Sequence, residues 1–559
     1  MTDVPVPSIH VPQWQRTEIA LTAVTPRADP YHELVVTARF TGPNGRVINR
    51  PAFWDGGSTW KIRFAPDQPG GWNWVTSASD PGDGGLHGRS GALQCTPATG
   101  ENPNYRHGFL RLSEDRRHFT YADGTPFFWL GDTHWLMPDR ERVDACNHPE
   151  HAGGPCPHGG QFQHLLASRI ALGFTVYQTY PDVPKQIDPE RLRTVMDVQL
   201  DQLADRGLVV ALGVGHFNSS MSVPVTELRC WARHLVARYG AHPVVWITCQ
   251  EMNWEEDHQM NRIAVWKEVA QEIAANDGYR HPHSGHQAVV DVATRPLGNE
   301  PWHTWFALQG GHLNSGYTTQ ARYAGYYHFQ PARPVIEAEA MYEDIDCGGV
   351  AHVDEVRRSA WRALLCGCAG YTYGGGGIWA MKWDPADQFL REYNHPIAAW
   401  YAGMELPGAA QMAVLKRILA ALPWTTLEPR FGDAAWSVWN EPESCVLATV
   451  GRRLFLAYCH GQTARGELRG LDPALTYAAR WIDPRDGTVE LIAEGIRSPA
   501  GSWAVPEKLA GRSAADRRGW AITGYAGQLL TSAIPGESIL LAPVGERLDI
   551  QFAFDISYA

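Results

Sequence analysis

Short apolar runs recur along the middle of the chain, between longer stretches whose apolar residues are spaced three or four apart. This alternation of strand-like and helix-like segments predicts a parallel sheet with helices between its strands. Eight segments have the strand pattern, which is the number in a (β/α)8 barrel; the fifth is short and polar. They are FFWLGD (127–132), FTVYQTY (174–180), LVVALGV (208–214), VVWITCQE (244–251), HPHSGH (281–286), TWFALQGG (304–311), PVIEAE (334–339) and AGYTYGG (369–375).

The segments on either side of this region have a different pattern. ELVVTARF and TWKIRFAP alternate apolar and polar residues between turn sequences such as GPNG and DQPGG, and similar strands return after the helical segment AAQMAVLKRILAAL. Alternation of period two with Gly, Pro and Asp turns predicts antiparallel sheets. We therefore predict an α/β fold with a TIM barrel over residues 105–425, an N-terminal β-sandwich over 1–104 and a C-terminal β-sandwich over 426–559.

Two glutamates end apolar runs of the predicted barrel. Glu251 ends VVWITCQE, Glu339 ends PVIEAE, and their separation, 339 − 251 = 88 residues, fits three strand-helix units at roughly 30 residues each. They would then follow the fourth and seventh strands. Barrel enzymes place their chemistry at the carboxyl ends of the strands, and a carboxyl pair is what cleavage of a glycosidic bond requires.

Polar and aromatic residues near the other strand ends surround this pair. By the same rule they should converge on the mouth of the barrel, where a sugar with many hydroxyls would bind. The predicted substrate-binding residues are Asp132, His134, Trp135, Tyr177, Tyr180, His216, Asn218, Asn253, His286, Gln309, His312, Tyr342, Tyr373 and Trp379.

The residues alone leave alternatives for these roles. Glu337 lies two residues before Glu339 on the same face of the strand, and Glu343 lies on the following loop. Asp132 could be a catalytic acid, although a strand-end Asp can equally hold a substrate hydroxyl. Each histidine by itself could have a structural role. A role in the site is favoured only for histidines that form a set around the mouth.

Composition and charge narrow the class of partner. The 559 residues carry a formal net charge of −12, which argues against nucleic acid, since nucleic-acid binding domains usually present a basic surface. The sequence has neither a signal-like start nor an apolar stretch long enough for a membrane span, which predicts a cytoplasmic protein without a membrane partner. The 23 Trp and 20 Tyr fit a carbohydrate partner as well as sandwich cores.

Cysteines give a weaker signal. Ten are scattered along the chain, and Cys249, Cys366 and Cys368 lie in apolar runs, as reduced buried thiols do. Cys146 and Cys156 bracket the loop ACNHPEHAGGPCPH, whose ligand spacing fits no standard zinc pattern. We read this segment as a Gly/Pro-rich loop over the barrel mouth, with a zinc or disulfide loop as the alternative, and predict no cofactor or metal.

Five segments resemble successive motifs of apiosidase-like glycoside hydrolases, which are (β/α)8 enzymes. They are RHFTYADGTPFFWLGDTHW, VVWITCQEMN, FALQGGH, RPVIEAEAMYE and GYTYGGGGIW, and WIDPRDG resembles a motif of the family's C-terminal sandwich. The resemblance implies that Glu251 is the general acid/base. It also implies that Glu339 is the nucleophile of a DGEPxYE-like motif, in which Glu337 matches the leading Asp.

The chain departs from this family pattern around both acids. Cys249, Gln250 and Glu251 stand where family members commonly have Gly-Gly-Asp, and Ala338 and Ala340 replace a glycine and a proline. The acid is thus one methylene longer, and the neighbouring subsite has a different shape. The resemblance therefore implies the mechanism rather than release of apiose.

These patterns together predict a retaining glycoside hydrolase that cleaves a terminal glycosidic bond of an oligosaccharide or glycoside. Retention predicts carboxyl groups about 5 to 5.5 Å apart, against roughly 6.5 to 9.5 Å for inversion. The alternatives are a carbohydrate-binding protein without catalysis and a metal-dependent hydrolase that uses the loop from Cys146 to His158. Sandwich domains beside a barrel are also compatible with a homo-oligomer.

Overall fold

The protein divides into two compact units. The computed structural model describes residues 9–152, 154–252, 262–286, 297, 299–311, 319–346, 350–388, 397–440, 445–460, 463–509, 519–526 and 539–543. One unit comprises residues 1–309, 377–390 and 398–404, and the other comprises 310–376, 391–397 and 405–559. The first holds the N-terminal sheets and six barrel strands, and the second holds two barrel strands and the C-terminal sheets.

Two sheets at the N-terminus enclose an apolar core. One has the strand order β1-β8-β7-β3-β4 and the other β2-β6-β5, and all neighbours are antiparallel except β1 and β8. Phe40 and Phe64 stack between them with ring centroids 3.8 Å apart, next to the buried Trp72. The predicted antiparallel pattern is present. The strands are β1 (Ile9–Pro12), β2 (Thr17–Thr22), β3 (Val36–Thr41), β4 (Val47–Pro51), β5 (Phe53–Trp54), β6 (Thr59–Phe64), β7 (Gly70–Ala78) and β8 (Ser90–Thr96).

The barrel strands of the first unit follow one another in chain order. Three short antiparallel strands precede them, and β12 to β16 then pair in parallel, each with the next along the chain. A parallel bridge between His286 and Ala307 continues the order to β17. The strands are β9 (Arg111–Leu112), β10 (Phe119–Thr120), β11 (Pro126–Phe127), β12 (Trp129–Thr133), β13 (Val176–Thr179), β14 (Val209–Gly213), β15 (Val244–Ile247), β16 (His283–Ser284) and β17 (Phe306–Gln309).

Two further parallel strands, β18 (Val335–Glu339) and β19 (Gly370–Tyr373), lie in the second unit and pair through Ile336 and Gly370. The parallel sheet thus has eight strands, and the prediction of a TIM-like (β/α)8 fold with flanking antiparallel sheets is confirmed. Each of the eight predicted segments overlaps one of its strands. The fifth, the weakest in sequence, is also the shortest, at two residues.

Helices separate the barrel strands because the intervening segments bury one apolar face. In helix Val225–Tyr239, Leu228, Trp231 and Leu235 all contribute to the core cluster around β14 and β15. The α-helices lie at Pro30–Glu33, Pro103–His107, Met137–Arg140, Gln161–Ala171, Pro189–Arg191, Asp197–Asp205, Ser219–Ser222, Val225–Tyr239, Arg262–Asn276, Gln320–Tyr327, Val353–Leu365, Trp400–Gly403 and Pro407–Ala420. Within the described residues, none is long and apolar enough to cross a membrane.

A buried ion network fastens the N-terminal sheets to the barrel helices of the same unit. Asp197 accepts hydrogen bonds from Arg63 of β6 at 3.0 and 2.5 Å and from Arg238 at 2.8 and 2.7 Å. Arg238 also donates to Asp55 at 2.9 Å. Burial alone would raise the pKa of Asp197, but the two guanidinium groups outweigh it and hold the pKa far below its ordinary value. The charges therefore stabilise each other at neutral pH.

The C-terminal part of the second unit has two sheets, with strand orders β20-β22-β23-β28-β29-β25-β26 and β21-β24-β27. Helix Val353–Leu365 packs on the seven-stranded sheet, where Trp361 stacks on Tyr458 with ring centroids 5.5 Å apart. Cys445 and Cys459 form a disulfide between paired strands, whereas Cys249, Cys366 and Cys368 are free, as predicted. The strands are β20 (Glu428–Pro429), β21 (Ser437–Trp439), β22 (Cys445–Val450), β23 (Leu454–His460), β24 (Thr463–Arg469), β25 (Tyr477–Ile482), β26 (Val489–Ile496), β27 (Ser502–Leu509), β28 (Gly519–Ala526) and β29 (Ile539–Pro543).

Candidate active site

Glu251 lies four residues beyond the end of its strand, rather than ending it. β15 stops at Ile247, and Gln250 stays in register through a hydrogen bond from its N–H to the carbonyl of Gly215, 3.0 Å long. The backbone then turns at Glu251, which has φ of 52°. Residues other than glycine rarely adopt this left-handed backbone conformation, and those that do are concentrated at functional sites. The turn separates Glu251 from the regular strand and fixes where its side chain begins.

Two side chains from the ends of other strands contact the Glu251 carboxyl group. Gln309 at the end of β17 donates from Nε2 to Oε1 at 2.8 Å, and His216, just after β14, has Nε2 3.6 Å from Oε2. The Glu251 side chain keeps 13% of its surface exposed and the His216 side chain 24%. Glu251 is thus oriented from two sides and still reachable by a ligand.

The main chain at Glu251 also fixes a histidine. Its N–H donates to Nδ1 of His286 at 3.2 Å, so that nitrogen carries no proton and the proton of the neutral ring lies on Nε2. His286 is fully buried, and the Met252 N–H donates to its carbonyl at 3.0 Å. Residues following the third to sixth barrel strands therefore meet around Glu251, as predicted from the strand-end rule.

Aromatic rings line the same region of the first unit. Trp135 contacts His286 edge-on with ring centroids 5.2 Å apart and Tyr180 at 5.6 Å, and Tyr180 lies 6.0 Å from His216. The Trp135 N–H donates to the carbonyl of Trp379 at 2.8 Å. Flat apolar faces beside polar groups are a typical lining for a small organic ligand. The predicted residues Trp135, Tyr180, His216, His286, Gln309 and Trp379 are brought together here.

Three other predicted residues form a closed network inside the barrel. His134 lies between two carboxylates, with Nε2 3.0 Å from Oδ2 of Asp132 and Nδ1 2.6 Å from Oε1 of Glu141. Tyr177 donates to Glu141 Oε2 at 2.7 Å and stacks on His134, and Arg169 of helix Gln161–Ala171 donates to Asp132. The polar atoms of Asp132 are thus occupied by protein groups, which favours a positioning role over contact with a sugar.

Burial and mutual charge set the protonation of this network. Burial tends to lower the pKa of His134, but the charges of Glu141 and Asp132 outweigh it and raise the pKa. Burial tends to raise the pKa of Asp132, which Arg169 and His134 lower instead. The raised pKa favours the imidazolium form of His134. Neither Glu141 nor Arg169 was predicted, since nothing in the sequence shows that these charges face the barrel interior.

Glu337 and Glu339 occupy different environments in the second unit. Both are buried, at 1% and 3% exposed. The carboxyl of Glu337 accepts a hydrogen bond from the Gly310 N–H at 2.5 Å and another from the Tyr323 hydroxyl at 2.7 Å. Burial raises the pKa of Glu337 to about 7, and the charge of Glu339 adds to the increase. Each oxygen of Glu337 therefore has a protein donor, while Glu339 is the last residue of β18.

Glu343, the third acid of this segment, has a structural role. Its Oε2 accepts from the Tyr373 hydroxyl at 2.7 Å and from the Gly408 N–H at 2.8 Å. Gly408 lies in the first turn of helix Pro407–Ala420, where a carboxylate is stabilised by the helix dipole. Tyr373, predicted to bind substrate, is thus fully buried and donates to Glu343. The structure favours a positioning role for it.

The remaining predicted residues are spread more widely. Tyr342 is buried with its ring against Gly374, where an added Cβ would lie 2.1 Å from the ring. Asn218 is exposed, and its N–H donates to Nδ1 of His216 at 3.4 Å. Asn253 and His312 fall outside the described residues. The binding roles of all these residues stay predictions.

The barrel matches the family that the motifs resemble. The model of the apiosidase-like catalytic domain matches residues 113–426, more than half of the 559 residues. The chain belongs to the apiosidase-like family. This membership makes it a glycoside hydrolase, as predicted. A second domain model, DUF5060, whose function is unknown, matches residues 10–79 of the N-terminal sheets.

Solved structures show the same fold at low sequence identity. A candidate glycoside hydrolase from Bacteroides vulgatus ATCC 8482 superposes with a TM-score of 0.68 at 17% identity, covering 92% of this chain and 99% of its own. A glycoside hydrolase family 5 protein from the same organism gives 0.62 at 20% identity, covering 78% and 98%. Another glycoside hydrolase gives 0.60 at 21%, covering 76% and 98%. No curated protein matches the chain in sequence.

Proposed function

We propose that this apiosidase-like protein cleaves a terminal glycosidic bond with retention of anomeric configuration. In the first step a carboxylate of Glu339 attacks the anomeric carbon while Glu251 donates its proton to the leaving oxygen. In the second step Glu251 takes a proton from water, which displaces Glu339 and releases the sugar. The observation that carries the proposal is the partly exposed Glu251 carboxyl, oriented by Gln309 and His216.

The environment of Glu337 disfavours it as the nucleophile, because a nucleophilic carboxylate must be ionised. Both oxygens of Glu337 accept hydrogen bonds from Gly310 and Tyr323, and its raised pKa favours the neutral form near neutral pH. The resemblance to the DGEPxYE-like motif independently selects Glu339. We assign Glu337 the role of supporting β18.

The surroundings of Glu251 support a carbohydrate substrate. Trp135 and Tyr180 are buried and pack behind the site, while the His216 imidazole beside Glu251 keeps 24% of its surface exposed for a polar ligand. The proposed substrate is an oligosaccharide or glycoside with a terminal sugar. The residues beside both acids depart from the usual family pattern. The terminal sugar is therefore to be identified with a panel of pentofuranosides, rhamnosides, galactosides and glucosides.

A cytoplasmic location stays a prediction from sequence. The disulfide between Cys445 and Cys459 bears on this question, because disulfides persist mainly in oxidising compartments. Fractionation of the native host, with a thiol-trapping step before lysis, would locate the protein. It would also report whether this pair is oxidised there.

The test combines Glu251→Gln and Glu339→Gln with product stereochemistry. On the best substrate of the panel, both variants should lose at least about a thousandfold in kcat while keeping the unfolding midpoint of the wild type. NMR of early wild-type product should show the anomer of the substrate. Glu114→Gln, an exposed acid without assigned function, is the control.

Azide distinguishes the proposed acid/base, Glu251, from the proposed nucleophile, Glu339. With an activated aryl glycoside, azide should rescue Glu251→Gln and give a glycosyl azide of retained configuration, because Glu339 still forms the intermediate. Inverted product from the wild type, or full activity of Glu339→Gln, would overturn the proposal. Binding of glycans without turnover by the wild type would instead support a carbohydrate-binding protein.

A further inference from the structure

A compact group of sulfur and nitrogen atoms lies on the long segment that follows β12. The side chains of Cys146, Cys156 and His164 place one ligand atom each within 4.8 Å of one another. The two cysteines lie on the loop before helix Gln161–Ala171, and His164 lies in its first turn. Their spacing matches no standard motif, so only the fold brings them together.

Three more histidines surround the same point. The ring centroids of His148, His151 and His158 lie 4.9, 5.6 and 4.2 Å from that of His164. Four imidazoles this close would repel one another if protonated. Two nitrogens, Nε2 of His151 and Nδ1 of His164, are buried without a hydrogen-bond partner among the described residues. Buried nitrogens of this kind normally have a partner, and a metal ion would supply one.

We propose that Cys146, Cys156, His151 and His164 bind one Zn²⁺ ion in a closed tetrahedral site. Two thiolates and two imidazoles are a donor set that selects zinc over magnesium or calcium. With Zn–S of about 2.3 Å and Zn–N of about 2.0 to 2.1 Å, ligand atoms of a tetrahedron lie roughly 3.3 to 3.8 Å apart. Cys146, Cys156 and His164, with separations of up to 4.8 Å, close to this geometry with movements of about an ångström or less. His151, whose ring centroid lies 5.6 Å from that of His164, completes the set by a larger movement of its side chain.

The site is built to hold the loop rather than to perform chemistry. Asn147, next to Cys146, accepts from the Trp400 indole at 2.7 Å and donates to the carbonyl of Trp383 at 2.9 Å. Earlier in the segment, Glu141 belongs to the buried network of His134. Four protein ligands leave no position for a water or substrate, which is typical of structural zinc. The ion would therefore fix the segment that carries Glu141.

The first experiment measures metal on the full chain. The protein is reduced, loaded with ZnCl₂, freed of excess metal by gel filtration and analysed by elemental mass spectrometry. We expect one zinc per chain for the wild type and for Cys230→Ser, which removes a half-buried thiol elsewhere. Cys146→Ser/Cys156→Ser should retain none. No zinc on the wild type, or equal zinc on the double variant, would overturn the proposal.

The second experiment uses the wild-type protein, so its outcome does not depend on whether the cysteine variants fold. Iodoacetamide is added to the reduced wild type with and without Zn²⁺, and peptides are quantified by mass spectrometry. Zinc should protect Cys146 and Cys156 at least tenfold and leave Cys230 unchanged. Unchanged labelling, or a Cys146–Cys156 disulfide that survives the reductant and keeps zinc out, would overturn the site.

The fourth ligand is tested by a matched pair of histidines. His151→Ala should weaken zinc binding at least tenfold in competition with a chelator, because a ligand is lost. His158→Ala removes a ring that also neighbours His164 and should bind zinc as the wild type does. With Co²⁺ in place of zinc, the thiolate-to-metal absorption should be present in both. Equal affinity of His151→Ala and the wild type would remove His151 from the site.

Discussion

Gln309 Nε2 donates a 2.8 Å hydrogen bond to Glu251 Oε1, joining the ends of two barrel strands that are 58 residues apart in sequence. The bond comes from a side chain with 1% of its surface exposed, so its geometry is fixed by packing. Glu251 itself stands on a left-handed residue outside the regular strand. Gln309 therefore compensates for the loss of strand support at this acid.

Replacement of Gln309 should impair turnover more than folding. A hydrogen bond to a charged group contributes about 1.5 to 3 kcal/mol, so Gln309→Ala should lower kcat about 10- to 100-fold. KM should change less, because the carboxyl is misplaced rather than the sugar pocket removed. Steady-state kinetics check this, with Gln202→Ala on helix Asp197–Asp205 as control. Unchanged kcat would show that Gln309 does not orient Glu251.

Glu337 should make the stability of the protein depend on pH. Its pKa is about 7 in the folded protein against an ordinary value of 4.5, mainly because it is buried. The folded state then keeps a proton that the unfolded state releases. The contribution of Glu337 to stability is thus greatest below pH 4.5, falls as pH rises, and is about 3 kcal/mol smaller by pH 7.

Glu337→Gln should remove this dependence. Glutamine imitates the protonated acid, accepting from the Gly310 N–H and meeting the Tyr323 hydroxyl with its amide. Chemical unfolding of wild type and variant at intervals from pH 4.5 to 7.5 gives the comparison. The variant should be the more stable of the two at pH 7.5. Parallel curves for the two proteins would contradict the raised pKa.

Asp197 should be essential to the stability of the first unit. Asp197→Asn removes the countercharge that the buried Arg63 and Arg238 share, leaving Glu18 to the first and Asp55 to the second. The loss of one member of a buried network costs about 3 to 5 kcal/mol. The folded pKa of Asp197 is lowered, so its contribution is present above its ordinary pKa and is lost as pH falls. Urea unfolding at pH 7 measures the loss, and Glu114→Gln should match the wild type.

Two glycines provide a paired test of the packing around Tyr342. In Gly374→Ala the new methyl would lie 2.1 Å from the Tyr342 ring, so the ring must move. We expect destabilisation of about 1 to 3 kcal/mol and reduced activity. Gly325→Ala, on the exposed face of helix Gln320–Tyr327, meets nothing within 4 Å and should be neutral or stabilise by up to about 1 kcal/mol. Equal effects of the two would exclude steric contact as the cause.

Local pattern was sufficient to find the barrel, because all of its strands except β16 lie in apolar runs that become buried. It was insufficient for the site. There, charged residues far away in sequence determine whether a polar side chain bonds to the protein or faces a ligand. Asp132 and Tyr373 follow the strand-end rule, yet Arg169 and Glu343 hold them inside the protein. Neither partner lies close in sequence. Only long-range packing determines such pairs.

The same limit explains the placement of Glu251. The apolar run from Val244 predicts a strand as far as the acid, but the ladder ends at Ile247. Gln250 then pairs with His216 as an isolated bridge before the left-handed turn. A bridge of this kind depends on a partner on another strand, which periodicity does not encode.

The left-handed backbone at Glu251 has a consequence for how such a site can evolve. The turn, set by main-chain bonds from its neighbours, directs the Cβ irrespective of the side chain that follows. Aspartate adopts this conformation more readily than glutamate. An acid at this position can therefore be lengthened or shortened by one methylene while its main-chain support stays intact, which would suit leaving groups at different depths without a change in the barrel.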